Sequence, residues 1–107
     1  MKLIIVIASE DYKSAIHRIF LKMHTPIFSE VAVKGFRTWN IEKEEGEKPK
    51  YRESHAIFST MCFTFVSSSK AKKIIELVKK FNQLQKLAKP IHAYELNVDS
   101  STNIALI

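Results

Sequence analysis

Hydrophobic positions along the chain fall into two periods, and the switches between them mark the elements. Residues 3–8 form a continuous apolar run, the pattern of a strand covered on both faces. Ser9 is a natural N-cap, and Glu10 and Asp11 complement a helix N-terminus. Tyr12, Ile16, Ile19, Phe20 and Met23 then recur at helical spacing, predicting a helix to about His24 that Thr25-Pro26 stops. Residues 27–36 read as a second strand, with Phe28, Val31 and Val33 apolar. Residues 56–66 are rich in Phe, Thr, Ile and Val and predict a third. Ser67, Ser68 and Ser69 offer caps for a second helix, whose apolar stripe is Ala71, Ile74, Ile75, Val78 and Phe81, with Leu77 and Leu84 at the margins. Pro90 precedes a fourth strand over 91–98, then a polar turn over 99–103 and a short apolar tail over 104–107 that needs something to pack on.

Strand, helix, strand, strand, helix, strand is the split pattern of a ferredoxin-like α+β domain. Right-handed crossovers put both helices on one face of a four-stranded antiparallel sheet. The third strand is apolar on both sides: Ile57, Met61, Phe63 and Phe65 alternate with Phe58, Cys62 and Val66. Two helices cover one face only, so the pattern predicts a second copy of the chain on the other.

Length and charge narrow this further. At 107 residues the chain is expected to be one domain, 1–107. The net charge of +6 at first suggests nucleic acid, but residues 68–90 alone hold seven lysines and one glutamate. The excess belongs to one helix and its exit, where Lys72, Lys73, Lys79 and Lys80 read as a solvated face. The N-terminal apolar run is far shorter than the roughly 20 residues that span a bilayer. With a single cysteine the chain has no internal disulfide, and the expected compartment is the cytoplasm.

Gly35 is one of only two glycines, placed where a strand meets a charged polar segment over 40–54. Glycine permits a turn or close approach there, so a loop projecting from this junction is the first functional candidate. Other chemistry is sparse. His17 and His24 share a helix face but stand roughly 10.5 Å apart along the axis, and no histidine pair has chelating spacing, so no metal ligands are assigned. Cys62 beside Met61 reads as core. No nucleophile–base ordering is readable, which argues against an enzyme. Trp39 beside Arg37 reads as packing at the loop base, or as a stacking surface.

Met1-Lys2-Leu3-Ile4-Ile5 and Glu30-Val31-Ala32-Val33-Lys34-Gly35-Phe36 resemble the opening strand and loop-base motif of the PII nitrogen-regulatory proteins. The resemblance implies a ferredoxin-like homotrimer that binds ATP or ADP between subunits, often with 2-oxoglutarate. It also implies a T-loop, here 40–54, that engages a transporter or enzyme. By the same resemblance Gly35, Phe36, Arg37 and Thr38 would wall an effector site, and Lys86 and Lys89 would offer charge to it. Tyr51 would match the tyrosine that some members modify. Three departures stand out. Residues 83–90 hold no glycine where the family has a glycine-rich, phosphate-cradling loop, and Glu53 follows Tyr51-Arg52 where the family has glycine. Trp39-Asn40 also stands where the family places its 2-oxoglutarate glutamine. The expected effector is therefore a small anion, with ATP, ADP or AMP as the candidates. A weaker resemblance, carried by Trp39 and Tyr94-Glu95, is to the CutA trimers, which implies divalent-cation tolerance and copper or zinc binding. A third reading is a nucleic-acid module stacking bases on Phe58, Phe63 and Phe65. No flanking RNA-binding pattern accompanies these residues, and the basic charge lies on a helix.

Overall fold

The computed structural model describes residues 1–36, 57–86 and 89–102. Six elements follow the predicted order: β1 (Lys2–Ser9), α1 (Lys13–Lys22), β2 (Ser29–Gly35), β3 (Ile57–Val66), α2 (Ser68–Gln85) and β4 (His92–Asn97). The sheet order is β2-β3-β1-β4 and each neighbouring pair is antiparallel. This is the ferredoxin-like α+β arrangement.

Register decides which side chains meet. Ile4 lies opposite Thr64 and Glu95, and Val6 opposite Cys62 and Ala93. These positions face the helices, where Ile4, Val6, Ala8, Cys62 and Val66 pack with Ile16 and Phe20 of α1 and Ala71, Ile74 and Val78 of α2. Tyr12 closes one end of this core edge-on to Phe81, at 6.3 Å between ring centres.

The helix ends differ from expectation in instructive ways. Ser9 accepts from the Asp11 N–H at 3.4 Å and caps a single 3-10 turn, Glu10–Tyr12, before α1 begins. α1 ends at Lys22, and His24 takes a left-handed conformation (φ 51) that bonds its N–H to the Leu21 carbonyl. Lys86, at the C-cap of α2, is also left-handed, at φ 48. Glycine is the usual residue in such caps, and neither site has one. Ile91, read as part of the last strand, instead precedes β4. Its N–H and carbonyl are both taken by the Asn82 side-chain amide, at 2.8 and 2.9 Å. The apolar tail over 104–107 lies outside the described residues.

The sheet face turned away from the helices carries Leu3, Ile5 and Ile7 of β1, Val31 and Val33 of β2, Met61, Phe63 and Phe65 of β3, and Tyr94 and Leu96 of β4. It is a continuous apolar surface with no cover from this chain's described residues, and Val31, Phe65, Tyr94 and Leu96 are exposed on it.

Candidate functional site

The base of the 40–54 segment is built by the last pairings of β2 with β3, Lys34 opposite Phe58 and Gly35 opposite Ile57. A side chain added at Gly35 would meet the Ile57 carbonyl oxygen at 3.7 Å and Ile57 Cβ at 3.9 Å, ordinary contact distances, and no positive φ marks the residue. The structure gives no steric reason for glycine here. Lys34 Nζ lies 5.7 Å from the centre of the Phe36 ring and 5.8 Å from that of Phe58. A cation over two aromatic faces is electrostatically favoured, and it groups three side chains at the end of β2.

Beside this junction opens a cleft of about 620 Å³. Ile57 and Phe58 form the side next to the end of β2, Ser9, Glu10 and Asp11 the floor at the end of β1, and Lys89 and His92 the far wall. Phe58 is 58% exposed, although register puts it on the helix-facing side of β3. It lines the cleft rather than the core. The charge is mixed, with Lys89 on one side and two carboxylates on another. An anion fits the Lys89 and His92 side, and the carboxylates suit donors such as amino or hydroxyl groups.

Of the residues expected to hold an effector, Lys89 lines this cleft and Gly35 abuts it through its pairing with Ile57. Phe36 stands exposed on the other side of Lys34. Lys86, exposed at the end of α2, is not among the residues that line the cleft. Arg37, Thr38, Trp39, Tyr51 and the 40–54 segment lie outside the described residues. Lys34 was not among those candidates; the β2–β3 register sets it opposite Phe58, on the helix side of the sheet.

A second cluster was also missed. His17 of α1 sits 2.6 Å from Glu30 of β2, and Cys62 of β3 is 3.6 Å from the same carboxylate oxygen. Lys13, one turn before His17, reaches the other oxygen at 3.2 Å. The hydrogen bond from His17, together with Lys13, holds the Glu30 carboxyl below its ordinary range. Burial, reinforced by the Glu30 charge, pushes the Cys62 thiol up to about 12. Sequence spacing gave no sign of the trio because each member comes from a different element. Only the β2–β3 register, which sets Glu30 opposite Cys62, brings them together.

The phenylalanines offered as a base-stacking platform divide. Phe63 and Phe65 share the outer face, and Phe58 lies on the other. The exposed lysines of α2 are on the helix side of the sheet, away from Phe63 and Phe65.

The four-stranded antiparallel sheet with two helices on one face is the fold of PII-like proteins. Among solved structures the chain resembles a PII-like signalling protein from Thermus thermophilus, at TM-score 0.61 and 15% identity over 91% of this chain and 85% of that one. It also resembles CPII, a nitrogen regulatory PII-like protein from Thiomonas intermedia bound to ADP, AMP and bicarbonate, at TM-score 0.58 and 11% identity over 94% and 93%. A DUF3240 family protein from Shewanella baltica aligns over 97% of this chain and 96% of its own, at TM-score 0.56 and 13% identity. At these identities the likeness is one of fold. No protein-family model and no curated protein matches the sequence.

Proposed function

We propose that the chain is a PII-like signalling protein that binds a small anionic effector beside its loop base and reports the bound state to a target protein through residues 40–54. The observation that carries this reading is the position of the cleft. Lys89 lines it, and its opposite wall, Ile57 and Phe58, is paired directly with Gly35 and Lys34. A ligand there touches the strand end from which the loop departs, so its binding energy can bias the loop between orders. Adenine nucleotides are the effector class of choice, supported by the ADP and AMP held by the Thiomonas protein of the same fold. The residues proposed to carry binding are Gly35, Phe36, Arg37, Thr38 and Lys89, with Lys86 contributing charge from the end of α2. Tyr51 is the proposed modification site. The role is binding and regulation in the cytoplasm, without catalysis. Among the described residues no helix is long and apolar enough to cross a membrane.

The assembly proposed is a homotrimer closed over the apolar sheet face. Large contiguous apolar patches on a monomer mark interaction surfaces, and this one spans all four strands.

Calorimetric titration with ATP, ADP and AMP, paired with the mass by light scattering, tests both parts. Heat is expected with at least one nucleotide, with Lys89→Ala weakening binding about tenfold or more through loss of a charge-assisted contact. Silence with all three ends the adenine-nucleotide reading. A monomeric mass ends the trimer.

A further inference from the structure

His17, Glu30 and Cys62 present three different metal-ligating atoms to one point. Imidazole nitrogen, carboxylate oxygen and cysteine sulfur all lie within 4.8 Å of one another. A tetrahedral zinc ion, with bonds of about 2.0–2.3 Å, holds its ligand atoms roughly 3.3–3.8 Å apart. Cys62 and Glu30 already stand at 3.6 Å, while His17 and Glu30 at 2.6 Å must spread and the widest pair, within 4.8 Å, must draw in, each by about 1 Å.

The surroundings suit a bound ion. Cys62 is fully buried at the floor, while His17 and Glu30 are partly open to solvent and leave a way in. The His17 ring rests on Phe28, 5.2 Å between centres, and Phe28 rests on buried Phe20 at 4.8 Å, so the imidazole is backed by the core. Lys13 occupies the second Glu30 oxygen, which leaves the first for the ion.

We propose that His17 Nε2, Glu30 Oε1 and Cys62 Sγ form a site for a zinc-type divalent cation, with the fourth coordination position open to solvent. Mixed nitrogen, sulfur and oxygen donors select such borderline-soft ions over magnesium or calcium. Three protein ligands with one open position are the arrangement that admits a water or an exogenous donor. Binding exchanges protons for the ion. The ionised Glu30 accepts, so Nε2 carries the hydrogen in the metal-free cluster. On metallation that hydrogen moves to Nδ1 and the thiol proton leaves to solvent. The site shares no residue with the lining of the effector cleft, and Glu30 lies five residues along β2 from Gly35. It rests on none of the reading above.

Cobalt(II) is the probe. The reduced full-length chain, titrated with Co²⁺ without oxygen, is expected to develop a thiolate-to-cobalt charge-transfer band that zinc bleaches. Cys62 is the chain's single cysteine, so the band reports it directly. His17→Gln and Glu30→Gln, at partly exposed positions, are expected to weaken cobalt binding at least about tenfold each. His24→Asn, outside both the cluster and the cleft and compatible with the left-handed backbone there, is expected to leave it unchanged. No band in the native chain overturns the proposal, and so does a band of undiminished affinity in both His17→Gln and Glu30→Gln.

Discussion

The two faces of the sheet use the same strands and similar side chains, yet they lie in opposite environments. On the helix side Ile4, Val6, Cys62 and Val66 are sealed beneath α1 and α2. On the outer side Leu3, Ile5, Met61, Phe63 and Phe65 repeat the same apolar chemistry with no described segment above them. Antiparallel sheets commonly show water a polar face. A sheet apolar on both sides carries a core on one face only, and the difference between its faces separates what stabilises the fold from the surface over which the proposed trimer would close.

Substitution of one phenylalanine on each face gives the largest expected contrast. Phe20 is 0% exposed and Phe65 44% exposed. Phe20→Ala should destabilise the fold by about 3–5 kcal/mol, from lost transfer energy and the cavity left behind. Phe65→Ala should cost about 1 kcal/mol or less in an isolated subunit, since much of the ring already meets water. In an assembly closed over this face the same change should cost more, and its effect should grow with protein concentration. Urea midpoints measured at two concentrations separate these outcomes. A Phe65→Ala midpoint that tracks wild type at every concentration would leave the outer face a bare surface.

Much of this contrast was legible in the sequence, because strand alternation fixes faces without knowledge of the fold. The third strand announced both of its apolar sides, and the second helix its stripe from Ala71 to Phe81. Helix ends were harder to read. The left-handed caps at His24 and Lys86 carry no glycine, so nothing in the residue type marks them. The Ser9 cap closes a 3-10 turn that no periodicity distinguishes from the first turn of an α-helix. The start of β4 was misplaced because Ile91 satisfies its backbone through Asn82, nine residues earlier, and not through a strand ladder. The cleft was half legible. Gly35 was picked out by its placement and Lys89 by resemblance, but the floor at Ser9 and Glu10 and the side at Phe58 depend on the ends of β1 and β3 meeting. The His17–Glu30–Cys62 trio was illegible for the same reason, since its members are 13 and 32 residues apart.

The covered face is stitched along its seam by Asn82, and this gives a middle-sized test. Asn82 bonds both backbone groups of Ile91, which is itself buried. Asn82→Ala removes both partners from a backbone segment that water cannot readily reach. The expected loss is about 1–3 kcal/mol. Native-state hydrogen exchange should show it most strongly at β4, leaving β2 and β3 near their original protection. Uniform loss across the sheet would mean that Asn82 stabilises the helix and not the seam.

The smallest expected effect lies at the other end of the covered face, where α1 meets the edge strand β2 through Glu30. Its carboxyl is held below the ordinary range first by the hydrogen bond from His17, with Lys13 adding to it. A depressed folded-state value means that the unfolded chain takes up the proton first as pH falls. The contribution is therefore fully present above the unfolded glutamate value of about 4.3 and drains away as pH drops through the lower folded value. Glu30 and its charge partners Lys13 and His17 are solvent-accessible, so screening keeps the effect modest. Glu30→Gln should lower the melting temperature slightly near neutral pH and flatten the acid limb of the stability profile, with the two proteins converging below the folded value. Added salt should narrow the neutral-pH gap. If the gap persisted unchanged into strong acid, the contribution of Glu30 would be packing against Cys62 and His17, not charge, and the edge of the covered face would be held much as its centre is.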